Sequence, residues 1–136
     1  MTHAPTLAIW CVLVAALLPI VCSAIAKRKG AGKPRREGGF DNNDPRAWLA
    51  KQQGLPARAN AAQANSFEAL PFFVGAVALA MVTQAPQARV DALAAAFIVC
   101  RVVYIAIYLA DKASLRSAVW SLGLVINIAL LFSAAW

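Results

Sequence analysis

The chain has 136 residues, 61% of them hydrophobic and only 14% charged, with a mean hydropathy of +0.63. A soluble domain of this length needs far more charge to cover its surface. The net charge of +7 is concentrated, with six of the thirteen Lys and Arg between Lys27 and Arg36. No basic, aromatic-interleaved surface lies outside that run, which argues against a nucleic-acid partner.

The first apolar run, about Leu7 to Ala26, has roughly the 20 residues needed to cross the hydrocarbon of a bilayer. It lacks a basic leader and is followed by basic residues, so it reads as a membrane span rather than a cleaved signal. Pro19 lies inside it, a position that neighbouring helices tolerate in a membrane. Residues 27–48 are the only long hydrophilic stretch. They contain Gly30, Gly32, Gly38, Gly39, Pro34 and Pro45, which disfavour regular helix through most of their length. Asp44-Pro45 predicts a cap and first turn.

A second span is expected over about 56–83, with a polar first half and a purely apolar second half from Leu70 to Val82. A short turn at Gln84-Ala-Pro86-Gln leads to a third span, about 90–110. Asp111-Lys112 makes another tight turn, with Ser114 as candidate N-cap. The fourth span covers about 115–136, and Asn127 is the only strongly polar residue in its middle. Four apolar helices and almost no soluble domain predict an all-α integral membrane protein, a single four-helix unit over 1–136. Cys11, Cys22 and Cys100 all fall in apolar runs. Their odd number and spacing give neither a disulfide framework nor a metal site, and they read as small packing residues.

Loop charge sets the expected orientation. The 27–48 loop, Lys112 and Arg116 fall on one side, and both termini with Arg89 on the other. Positive-inside then puts the long loop in the cytoplasm and both termini outside, with the basic loop in contact with anionic membrane lipid. Trp10 and Trp136 are placed as interfacial anchors.

Charged groups inside a span cost roughly 2.5–3.5 kcal/mol each at a helix centre. In the second span, Arg58, Asn65, Glu68 and Phe72 are spaced by seven, three and four, which keeps them on one face. In the third, Arg101, Tyr104 and Tyr108 share a face by steps of three and four. Two such stripes toward the loop end are able to form one pocket, in which a carboxylate, a guanidinium and two phenols would hold a zwitterionic ligand. The bland alternative is a brace, with Glu68 paired to Arg101 and Asn65 bonding across helices.

The stretch from Arg58 to Phe72, with Asn65, Glu68 and Pro71 in an Asn-x-x-Glu-x-x-Pro arrangement, resembles the signature of the MAPEG family. These are the membrane-associated proteins of eicosanoid and glutathione metabolism, which include the microsomal glutathione transferases. Arg101, Tyr104 and Tyr108 match a further family element, Arg116-Ser117 a third, and the run Gly39 to Arg46 is similar to bacterial members. The resemblance covers the whole chain in length, span count and motif order. It implies a homotrimer with glutathione bound between neighbouring subunits near the cytosolic face, and a bacterial inner-membrane location. By the same resemblance Arg58, Asn65, Glu68, Arg101, Tyr104 and Tyr108 would bind glutathione, and Arg116 would be catalytic, stabilising the thiolate. A lipophilic second substrate would arrive from the lipid and be conjugated or reduced.

Two positions depart from the pattern. Members that bind glutathione often carry basic residues where this chain has Ala61 and Ala64, and Arg58, one turn earlier, is the candidate to compensate. The departures keep open a non-catalytic accessory or assembly subunit of a membrane complex. A small multidrug transporter also uses four short helices and a membrane glutamate, although the long basic loop is unexpected in that class.

Overall fold

A computed structural model describes residues 4–136. It contains five α-helices, α1 Leu7–Lys27, α2 Pro45–Ala50, α3 Leu55–Val82, α4 Gln87–Leu109 and α5 Ala113–Leu131, and no strand among the described residues. All but α2 are long and apolar enough to cross a membrane. At 1.5 Å per residue the 21 residues of α1 extend about 31 Å, close to the thickness of the hydrocarbon core. The chain is an integral membrane protein of four spanning helices.

Helices α3 and α4 touch each other and every other span, while α1 packs on one side of that pair and α5 on the other. The seam of α1 is made of small residues. Ala8, Cys11, Ala15, Cys22 and Ala26 are buried, and Pro19 falls in the same stripe. Leu13, Leu17 and Ile20 instead face outward, about half exposed. In lipid, outward leucines cost nothing, and close approach of backbones across small side chains supplies the packing. On α3, Ala59, Ala62, Ser66, Phe73, Ala76 and Ala80 continue the pattern at helical spacing. Phe73 and Phe97 stack with ring centroids 4.3 Å apart between α3 and α4.

Both short connections end a helix in the same way. After α3, Gln84 adopts a left-handed φ of 56°, Ala85 N–H donates to the Ala80 carbonyl and Gln84 N–H to that of Met81. After α4, Asp111 has φ 61°, with Lys112 donating to Ile107 and Asp111 to Tyr108. These paired bonds define Schellman caps, each with a non-glycine residue at the left-handed position. The second cap leads straight into α5, whose N-cap is Lys112 with no side-chain bond. Ser114 therefore lies inside the first turn and is not the expected cap. Helix α5 closes at Leu131, short of the expected 136; beyond it the chain turns, with Ser133 N–H donating to Leu130 and Ala135 N–H to Phe132.

The terminal end is tied together by two charged side chains of α4. Asp91 accepts from the Ala8 amide at the start of α1 (2.8 Å), and Gln87 also donates to it (2.9 Å). Arg89 donates to the Ser133 carbonyl (2.7 Å) and its guanidinium lies 4.2 Å from the Trp136 ring centroid. At the opposite, loop end the hydrophilic stretch folds around Trp48. Phe40 packs edge-on against Trp48, the Trp48 indole N–H donates to Gly38, and Lys27 sits over Phe40. Gly30 is required there, since a Cβ would lie 2.5 Å from the Trp48 ring. Asp44 caps α2 by accepting from Ala47 N–H (3.2 Å), with Pro45 opening the helix as its sequence signals.

Candidate functional site

The polar stripes of α3 and α4 meet. Arg101 is 4% exposed and donates from Nη2 to Asn65 Oδ1 (2.9 Å) and to Ser66 Oγ (3.3 Å). The Ser66 hydroxyl donates to the Ala62 carbonyl (2.8 Å), which leaves its oxygen lone pairs free to accept from Arg101. The guanidinium also lies 4.2 Å from the Tyr104 ring centroid. Among the described residues no carboxylate forms an ion pair with Arg101. A buried cation without a counter-charge is held at a cost, and the charge–quadrupole contact with Tyr104 offsets only part of it.

Glu68 does not supply the missing charge. It is exposed at the edge of a cleft between α3 and α5 that Arg101 also lines, and it forms no ion pair among the described residues. Of the alternative brace, the Glu68–Arg101 pair is absent among the described residues, while the cross-helix bond of Asn65 is present and made to Arg101, with Ser66 beside it. The asparagine is three residues nearer the start of α3 and its oxygen meets the guanidinium directly.

From Arg101 a ladder of rings leads toward the loop end. Tyr104 and Tyr108, one turn apart, meet edge to face at 5.7 Å, and the Arg116 guanidinium from α5 caps Tyr108 at 4.1 Å. The i, i+3, i+7 spacing on α4 places all three of its residues on one face. The result is two cations bracketing two phenols, one cation buried and one half-exposed near the start of α5.

Arg58 is placed elsewhere. Its Nε donates to the Leu109 carbonyl (3.0 Å) and its Nη1 lies 3.7 Å from Asp111, so it caps the C-terminus of α4. A cation there meets the negative end of the helix dipole. It lines no part of the cleft.

The cleft itself, about 160 Å³, lies between α3 and α5 over a floor of α4. Asn65, Glu68, Ala69 and Phe72 form the α3 wall, and Phe97 and Arg101 the floor. The α5 wall, Trp120, Gly123, Leu124 and Asn127, has the same spacing of three, one and three. Trp120 and Asn127 on the cleft wall, and Ser66 at Arg101, are candidate site residues that sequence spacing alone did not bring together. Asn127 carried the clearest signal, as the lone strongly polar residue of its span. Ligand clefts typically enclose about 300–1,000 Å³, so this one is too small and too open to surround a tripeptide by itself. The three cysteines are buried and free, Cys100 bonding the Val119 carbonyl (3.2 Å). No group of three metal-binding side chains occurs among the described residues.

A family model described as the MAPEG family matches residues 7–136. Comparison with curated proteins and with solved structures gave no match.

Proposed function

Because the chain belongs to the MAPEG family, a membrane glutathione transferase-like or related function is supported in general, and we propose that it joins glutathione to lipophilic electrophiles, or reduces them with it. The observation that carries this reading is the buried Arg101 guanidinium, which among the described residues has no anion and faces the same cleft as a Glu68 with no cation. Glutathione presents both complements, carboxylates for a guanidinium and an ammonium for a carboxylate. A carboxylate on Arg101 would form charge-assisted bonds shielded from water. Asn65 orients the guanidinium, and Glu68 receives the ammonium group at the rim.

In this reading the tripeptide runs along the tyrosine ladder and ends with its sulfur near Arg116. A fixed cation there favours the thiolate over the thiol, and the thiolate is the nucleophile. The electrophile enters along the apolar walls. Because one chain encloses only part of a tripeptide-sized volume, a neighbouring copy completes the site, in keeping with a homotrimer. The basic loop faces the cytoplasm and the termini the periplasm of a bacterial inner membrane, which brings the ladder to the glutathione-rich side.

Calorimetric titration of the detergent-purified protein with glutathione tests this reading, with oxidised glutathione as control. Binding that Glu68→Gln weakens while the protein still assembles supports it. Absence of heat at millimolar glutathione overturns it. In that case the accessory-subunit reading gains from Ala61 and Ala64, and from an Arg58 whose guanidinium is engaged at Leu109 and Asp111. Arg116→Ala tests the chemistry separately: it keeps binding and loses thiolate absorbance near neutral pH. An unchanged thiolate signal in that variant removes the catalytic assignment.

A further inference from the structure

The proposed chemistry lies on the loop side of the cleft, from Glu68 and Arg101 along the tyrosines to Arg116, and leaves the far end of the cleft unassigned. There Asn127 is 3% exposed, lines the cleft, and its carboxamide oxygen is buried with no hydrogen-bond partner among the described residues. An unmade hydrogen bond of this kind costs on the order of a bond's full desolvation, so such a group calls for an occupant. The walls beside it, Phe72, Phe97, Gly123 and Leu124, offer no second polar side chain. A trapped water needs two to four polar partners, which this surround does not provide. A charged group would have no counter-charge at that depth.

A hydroxyl fits. It donates and accepts at once, so it matches an asparagine amide in either orientation, and it is neutral enough to travel in lipid. Asn127 lies eleven residues beyond Arg116 on α5, about 16 Å along the helix axis. That separation is too great for Asn127 to touch the reacting atoms.

We propose that Asn127 seats the distal hydroxyl of an elongated lipophile whose electrophilic end meets the thiolate near Arg116, an assignment that rests on the glutathione reading above. From Arg116 the lipophile passes beside glutathione's polar end at Glu68 and Arg101, then follows Phe72, Phe97 and Leu124 to Asn127, with a neighbouring copy supplying the volume that the cleft of one chain lacks. Long-chain α,β-unsaturated aldehydes with a terminal hydroxyl are suitable probes of this class. The sulfur bonds to the β-carbon, the π pair of the C=C bond moves to the α-carbon, and that carbon takes up the proton given up by the thiol. Nothing else is consumed.

The test uses the detergent-purified protein at millimolar glutathione, with 2-alkenals of stepwise increasing length, each with and without a terminal hydroxyl. The hydroxyl should raise kcat/KM by up to about tenfold within a narrow range of lengths, and Asn127→Leu should bring the ratio back to one. Equal kcat/KM for each pair at every length, or a preference that survives in Asn127→Leu, overturns the seat while glutathione binding and addition still support the broader reading. Absence of both glutathione binding and addition overturns the two together. Size-exclusion elution reports whether Asn127→Leu assembles, and the comparison of paired substrates on the unaltered protein decides the matter without any variant.

Discussion

The two ends of the bundle use charge differently. At the terminal end, Asp91 holds the first turn of α1 and Arg89 holds the Ser133 carbonyl just past α5. Each charge there is committed to a backbone group at or just past a helix end. Toward the loop end, Arg58 is committed in the same way to the end of α4, but Arg101 has no anion and Glu68 no cation among the described residues. The difference separates charges that stabilise the fold from charges that, in the proposed function, are kept for a ligand.

Arg101→Leu challenges that contrast most strongly. A leucine fills the space without a buried cation, so stability in a denaturant titration should hold or rise, as when buried ionic groups are replaced by apolar ones. Glutathione affinity should fall by about a hundredfold or more, the loss expected for a buried charged partner. A variant that unfolds while the remaining folded fraction still binds glutathione would place Arg101 with the bracing charges instead.

Ala15→Leu probes the opposite role. Ala15 is 6% exposed in the small-residue seam of α1, a helix that lines no part of the cleft. Extra bulk there should cost about 1–3 kcal/mol of unfolding free energy, with glutathione heats unaltered per folded protein. Little change in stability would mean that α1 packs more loosely than its alanines indicate.

Asp91→Ala should cost about 1 kcal/mol, the usual value of a lost N-terminal cap. Faster amide exchange in the first turn of α1, and not at the tyrosine ladder, would locate the effect. Exchange that instead rises along all of α4 would show Asp91 to be part of the bundle core.

The four spans were legible because lipid selects long apolar runs, and that signal does not depend on how the helices pack. Co-facing of Asn65 with Glu68, and of Arg101 with Tyr104 and Tyr108, was legible from spacing. Spacing gives a face on one helix and not its rotation against the next. It therefore left open whether Arg101 would meet Asn65 or Glu68, and the structure gives Asn65 with Ser66. Arg58 shared the α3 stripe in sequence, yet at seven residues from Asn65 it is two turns lower, level with the end of α4, whose open carbonyls claim it. Asn127 was visible as a lone polar residue, but only the opposed wall of α3 reveals that it borders the same cleft as Glu68.

The smallest expected effects come from the two Schellman caps, one at each end of the bundle. A left-handed residue other than glycine carries roughly 1–2 kcal/mol of backbone strain, less for Asp and Asn, whose side chains suit that region. Gln84 has φ 56° and its side chain forms no hydrogen bond among the described residues. Gln84→Gly should therefore raise stability, by up to about 1 kcal/mol after the greater freedom of glycine in the unfolded chain is deducted. Asp111→Gly should gain less, because aspartate starts with less strain and the change also removes its 3.7 Å pairing with Arg58. That pair is largely exposed on the Asp111 side, so its loss is worth at most about 1 kcal/mol. Measured side by side in one denaturant series, a clear gain at Gln84 and near neutrality at Asp111 would show that the loop-end turn was kept for Arg58. Equal gains would mean that the Arg58 contact contributes nothing measurable and that the two turns differ only in sequence.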